Sequence, residues 1–228
     1  ILADPQLRED AVRQVLNELD KVACERVLFP GWTVVGANVP QWIIDRTIGR
    51  TFVIEMVSPA TSVDPPPRTF VLRDQQILVG PVFQLFGTRA QAGGPGNPGQ
   101  EVLNLTAQLT GQAPPDRTWS DPAFPKCALM VCGEVLIIHV PRNGGTAPIV
   151  PGFPSFNLIV NPSHKPNKLP AMRRARAYLS QMRPDALLLM TSNMHSRWRQ
   201  AGRRGLQGEG RAAAEAYCNG QKIRPNHT

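Results

Sequence analysis

Apolar residues recur every three or four positions from Leu7 through Ala11, Val15 and Leu19 to Val22, with Arg8, Arg13 and Glu18 in the gaps. That spacing predicts an amphipathic helix. Asp4-Pro5 supplies its start, an N-cap acid followed by proline at the first helical position. The helix runs for about six turns and closes near Phe29-Pro30-Gly31. Its stripe packs on the domain core or docks on another subunit.

Beyond Trp32 the pattern changes to short apolar runs cut by Pro and Gly. Thr33–Val39, Thr51–Val57, Thr69–Leu72, Ile77–Phe86, Ala128–Val140 and Phe156–Val160 read as strands. Gly80-Pro81 interrupts the fourth, so it is two strands or an edge strand with a bulge. Cys132-Gly133-Glu134 breaks the fifth, which suits a hairpin or a bent strand. Gln91–Gln100 has no core-forming side chain and reads as a flexible loop. Gln112–Pro125 is a Pro-rich excursion that Trp119 and Phe124 anchor to the surface.

After Val160 the rhythm changes again. A loop, Asn161–Leu169, precedes a helix from Pro170 to about Met182 whose buried stripe is Met172, Ala175, Leu179 and Met182. Arg173, Arg174 and Arg176 are expected to lie away from that stripe. Ala186–Thr191 is an all-apolar run suited to a buried strand, and Arg211–Cys218 reads as a helix. Strand, helix, strand, helix is the order of a crossover with parallel pairing. The expected class is α+β: an N-terminal amphipathic helix, a β-rich body, and a C-terminal Arg-rich βαβα element. Residues 1–160 form the helix and body, and residues 161–228 the basic element, packed on the body as one domain.

Composition agrees with this picture. A chain of 228 residues with 42% hydrophobic content buries a substantial core, and 23 Pro with 19 Gly suit short strands and many turns. No apolar run approaches the length of a transmembrane helix. The opening residues lack a signal-peptide pattern, so no membrane insertion is expected and a cytoplasmic or virion location fits. Cys24, Cys127, Cys132 and Cys218 match no zinc spacing. They read as reduced thiols, with one disulfide left open. No cofactor or metal motif is present.

Charge is the strongest signal. Residues 1–160 hold 12 Lys+Arg against 14 Asp+Glu, whereas residues 161–228 hold 13 against 3. Ten of those 13 cations are Arg. Such a block faces an anion. The segment His195-Ser196-Arg197-Trp198-Arg199, followed by Arg203 and Arg204, sets an aromatic between guanidinium groups that bind phosphate while the ring stacks on a base. With Arg173, Arg174 and Arg176 it makes the candidate nucleic-acid face. Ser163, His164, Lys165 and Lys168, between a strand and a helix, form a candidate anion-binding loop.

These features point to a non-enzymatic structural or assembly protein, of the kind found in a viral or phage particle. It forms homo- or hetero-oligomers and meets nucleic acid, DNA or RNA, or an acidic protein surface. The alternative is an enzyme acting on nucleic acid or a phosphorylated ligand, with His164 or His195 as general acid/base. No nucleophile signature stands next to Cys24, Cys127 or Cys132, and Glu134 and His139 fall on opposite faces of one regular strand.

Overall fold

Six consecutive residues, Thr51 to Met56, are all buried, and a strand buried on both faces needs cover on both. The computed structural model describes residues 5–31, 33–57, 66–141, 145–163, 170–192 and 213–223. The chain begins with α1 (Pro5–Leu19), β1 (Arg26–Leu28), β2 (Val34–Val35), α2 (Gln41–Ile44) and a 3-10 turn at Asp45–Thr47. Next come β3 (Thr51–Val57), β4 (Arg68–Arg73), β5 (Gln76–Val82), α3 (Arg89–Ala92), β6 (Gly93–Gly94) and β7 (Asn97–Pro98). Then follow α4 (Gln100–Leu109), β8 (Thr118–Asp121), β9 (Phe124–Leu129), a 3-10 helix Cys132–Ile137, β10 (Ile138–His139) and β11 (Ala147–Pro148). Last are β12 (Leu158–Ser163), α5 (Pro170–Leu179), β13 (Leu187–Ser192), β14 (Ala213–Cys218) and β15 (Gln221–Ile223).

Two sheets dominate. The first has the order β1-β3-β4-β5, with β2 also on β3. The second has the order β15-β14-β13-β12-β9-β8, and its centre, β13-β12-β9, is parallel. Side chains alternate across each strand, and the alternation builds four layers. Val53, Val71, Val79 and Val82 of the first sheet meet Trp119, Cys127, Leu129, Leu158 and Val160 of the second. On the outer face of the first sheet, Phe52, Ile54, Phe70 and Leu72 take Val12 and Leu16 of α1. On the outer face of the second, Ala128, Met130, Ile159, Leu188 and Met190 take α4 and α5. The α+β class and the β12-α5-β13 parallel crossover are as the sequence predicts. Among the described residues no helix is long and apolar enough to cross a membrane.

Several expectations are corrected. The first helix ends at Leu19 and buries Val12 and Leu16, while Leu7, Val15 and Val22 are exposed. Both stripes carry apolar residues, and contact with the first sheet selects between them. The strand expected over Thr33–Val39 is only Val34–Val35. Gln91–Gln100 holds the end of α3, a two-strand ribbon and the first residue of α4. Thr88 caps α3 through reciprocal bonds with Gln91. Gln112–Pro125 contains β8 and the start of β9, so it is part of the sheet. Ala128–Val140 is neither a hairpin nor one bent strand, because the 3-10 helix Cys132–Ile137 replaces its middle. Ala213–Cys218 is a strand antiparallel to β13 rather than a helix, because six residues in register outweigh alanine's helical preference.

One polar group ties the sheets together. Asp121 on β8 has no exposed side-chain surface. It accepts from Thr51 Oγ1 of β3 at 2.9 Å, from Ala123 N–H at 3.0 Å, and from Arg26 of β1. Burial works against its charge, but the Arg26, Ala123 and Thr51 bonds outweigh it and hold the carboxyl below its ordinary value. A depressed acid stabilises the fold above its unfolded value, about 3.9, and that contribution is lost as pH falls through the lower folded value. Asp121→Asn should therefore cost about 2 kcal/mol at neutral pH and have progressively less effect as acid is added. Urea melts of both proteins between pH 7 and about pH 2 check this; a constant gap across the range contradicts it.

Candidate functional site

The parallel strands β9, β12 and β13 end side by side, and in open α/β sheets this carboxyl edge is where ligands collect. The chain leaves β9 through Met130 and Val131 and turns at Cys132 into the 3-10 helix. Cys132 has φ +47°, a left-handed conformation that non-glycine residues seldom adopt. It is buried, at 3% exposure. Gly133 follows, and a side chain there would have its Cβ 2.6 Å from Gly87 Cα. Only glycine allows these two backbones to touch.

An ion pair with no solvent exposure on either side chain sets the turn. Arg117 Nη1 donates to Glu134 Oε2 at 2.6 Å. Glu134 also accepts from Val131 N–H and Leu85 N–H, each at 2.7 Å. Arg117 spends its other nitrogens on Gln108 Oε1 at 2.6 Å and the Phe83 carbonyl at 2.7 Å. Burial pushes the Glu134 carboxyl upward, and the Arg117 charge with the two backbone donors pulls it back. Glu134 and His139 thus sit on different elements, not on the two faces of one strand.

A second buried cation holds the turn from the opposite side. Arg176 of α5 is fully buried and donates from Nε and Nη2 to Asn161 Oδ1 at 3.0 and 2.9 Å. Asn161 Nδ2 in turn reaches the carbonyls of Met130 at 2.6 Å and Cys132 at 3.2 Å. Burial lowers the pKa of Arg176, while Tyr217, Cys132 and Glu215 are close enough to favour its charge. Ser163 Oγ lies 3.6 Å from Cys132 Sγ. Ser192, beside Ser163 in the β12–β13 register, is fully buried, and its Oγ finds no partner among the described residues. Cys132, Asn161, Ser163, Arg176 and Ser192 thus form one buried polar cluster at the strand ends.

The sequence-derived sites fare unequally. Arg176 is corrected: it is an internal structural cation, not part of an outward face. Ser163 is corrected too, since it belongs to β12 and is buried against Cys132 rather than lying in an open loop. Arg173 and Arg174 are exposed on α5, and Arg174 leans to the Pro141 carbonyl at 3.4 Å. His164, Lys165, Lys168, His195, Arg197, Trp198, Arg199, Arg203 and Arg204 lie outside the described residues. All four cysteines are free thiols, with Cys127 and Cys132 buried. Burial is the main cause that pushes the Cys127 thiol up to about 12. Among the described residues no three His, Cys, Asp or Glu side chains gather as a metal site requires. Sequence reasoning missed Cys132; its one signal was an apolar run broken at Cys-Gly.

No protein-family model matches the chain, and comparison with curated proteins finds no relative. The buried pair makes its own test. Arg117→Met or Glu134→Leu alone should destabilise by about 3–5 kcal/mol, because each strands an unpaired buried group. Arg117→Met with Glu134→Leu should recover part of that loss. Denaturation of the three variants checks the coupling; additive losses would show that the two side chains act independently.

Proposed function

We propose that the chain is a thiol-dependent enzyme in which Cys132 is the nucleophile of an acyl-transfer or hydrolytic reaction. The observation that carries this reading is the left-handed Cys132 at a strand-to-helix turn on the carboxyl edge of parallel strands. A nucleophile on a strained turn of this kind is presented free of its own strand. Arg176 is bonded to the same Asn161 that holds the Cys132 carbonyl, and positive surroundings favour the reactive anion. Asn161 fixes the Cys132 backbone.

In this reading the sulfur attacks an acyl carbon and the C–S bond forms. The leaving group departs with a proton, and water then cleaves the thioester to restore the thiol. His164, next after Ser163 in sequence, and His195, three residues past Ser192, are the candidate bases.

The test is competitive alkylation by iodoacetamide at neutral pH, read by peptide mass spectrometry. Cys132 should react at least about tenfold faster than Cys24 and Cys218 despite its burial, as expected of a thiol with enhanced thiolate character. Cys127 should stay unmodified. Arg176→Met should slow Cys132 alone. A Cys132 slower than the half-buried thiols overturns the reading.

A second reading rests on the exposed Arg173 and Arg174 and on the charge split. There, the C-terminal third contacts nucleic acid or an acidic protein as part of an assembly. Arg173→Ala with Arg174→Ala should then weaken filter binding of single-stranded RNA or DNA and reduce its salt slope by about two. Unchanged binding rules this reading out.

A further inference from the structure

We propose that Ser192 selects the acyl group that Cys132 takes, favouring a short acyl chain with an acceptor oxygen near its reacting carbonyl. This deepens the nucleophile reading, on which it rests, by naming the substrate class. The observation behind it is a stranded hydroxyl. Ser192 Oγ is fully buried and finds no hydrogen-bond partner among the described residues. A buried hydroxyl left unbonded costs free energy, and such groups are uncommon enough in folded chains to need a reason.

Strand alternation fixes where that hydroxyl stands. Leu188 and Met190 pack in the layer under α5, and Ser192 follows them on the same face of β13. On β12 the matching face carries Ile159, Asn161 and Ser163, with Asn161 bonded to Arg176 of α5. The register pairs Leu188 with Ile159, Met190 with Asn161, and Ser192 with Ser163. The apolar layer therefore ends at Met190, and the last rung at the strand ends is a pair of hydroxyls. Ser163 Oγ lies 3.6 Å from Cys132 Sγ. Sulfur, Ser163 and Ser192 thus follow one another across three neighbouring segments.

Neighbouring strands stand about 4.8 Å apart. At that spacing the two hydroxyls are too distant to bond each other, and one acceptor oxygen between them can meet both. An acyl group on Cys132 that extends along this row passes Ser163 and ends beside Ser192. A hydrocarbon chain there leaves the Ser192 hydroxyl unanswered, whereas an acceptor oxygen in the chain answers it. The row is buried at both ends, with Ser192 at 0% and Cys132 at 3% exposure, so the acyl group is short.

The experiment compares 4-nitrophenyl methoxyacetate with 4-nitrophenyl butyrate, esters of equal length in which an oxygen replaces a methylene. With each, Cys132 Sγ attacks the carbonyl carbon. The C–S bond forms, the C–O bond breaks, 4-nitrophenolate leaves, and the thiol proton passes to solvent. The rate is 4-nitrophenolate release by the full chain, less that of Cys132→Ala. Comparing the ratio of the two esters between proteins cancels their intrinsic reactivities. Ser192→Ala should lower the methoxyacetate-to-butyrate ratio at least about tenfold. It removes a hydroxyl that bonds nothing, so its urea midpoint should be no lower than that of wild type. An equal ratio in the two proteins overturns this proposal and leaves the nucleophile reading standing. A lowered urea midpoint overturns it too, because the hydroxyl then has a structural bond. Absence of Cys132-dependent release from both esters overturns the nucleophile reading, and this proposal falls with it.

Discussion

The contact on which the rest depends is the Arg117–Glu134 pair. Neither side chain touches solvent, so two charges have been taken out of water, a cost that Coulomb attraction alone does not reliably offset. What offsets it is complete hydrogen bonding. Arg117 joins the entry to β8 with α4 and the chain leaving β5, through Gln108 and Phe83. Glu134 closes the same ring onto Leu85 and Val131. Segments from both sheets and one helix must therefore arrive together before either charge is satisfied. Such a network specifies an arrangement more than it adds stability.

That requirement explains the turn at Cys132. A strand running straight on from Leu129 would carry Glu134 out of reach of the Val131 N–H. The 3-10 helix brings it back within three residues, and Gly133 lets the turn press against Gly87. The left-handed backbone at Cys132 follows from this geometry, and strain of order 1–3 kcal/mol persists only where the surroundings over-determine it. Here they do: Asn161 holds the carbonyls on either side of Val131 while Glu134 holds its N–H.

Much of the sheet scaffold was legible because its strands are either apolar throughout or bounded by turn residues. Thr51–Val57 has the predicted bounds, and Ala186–Thr191 is shifted by one residue at each end. α1 was legible as a helix but not as a buried face, since Leu7-Ala11-Val15 and Val12-Leu16 both satisfy helical spacing and only the partner sheet distinguishes them. α4 was hidden behind a Gly/Pro-rich run, although Val102, Leu105 and Leu109 carry the period. Arg176 is the instructive miss. It lies four residues after Met172 and three before Leu179, on the buried stripe by spacing, and its charge argued against the position that spacing gave it. The Arg117–Glu134 pair spans 17 residues with no local pattern, so nothing in sequence could announce it.

The fate of Arg176 changes what the basic C-terminal region means. A block of arginines read as one outward face becomes at least two populations. One guanidinium is internal and held by Asn161, which in turn bonds the carbonyls of Met130 and Cys132; Arg173 and Arg174, on the same helix, are exposed. The outward pair is compatible with an electrostatic contact, but two exposed cations on one helix are common on ordinary surfaces. A fully buried arginine is not. Its burial is costly, and the bonds it makes there terminate on the residue that fixes Cys132. Weighing cost against contact, the inward arginine is accounted for, like Arg117, by the bonds that lock the strand ends, and only the outward pair belongs to the expected basic face among the described residues.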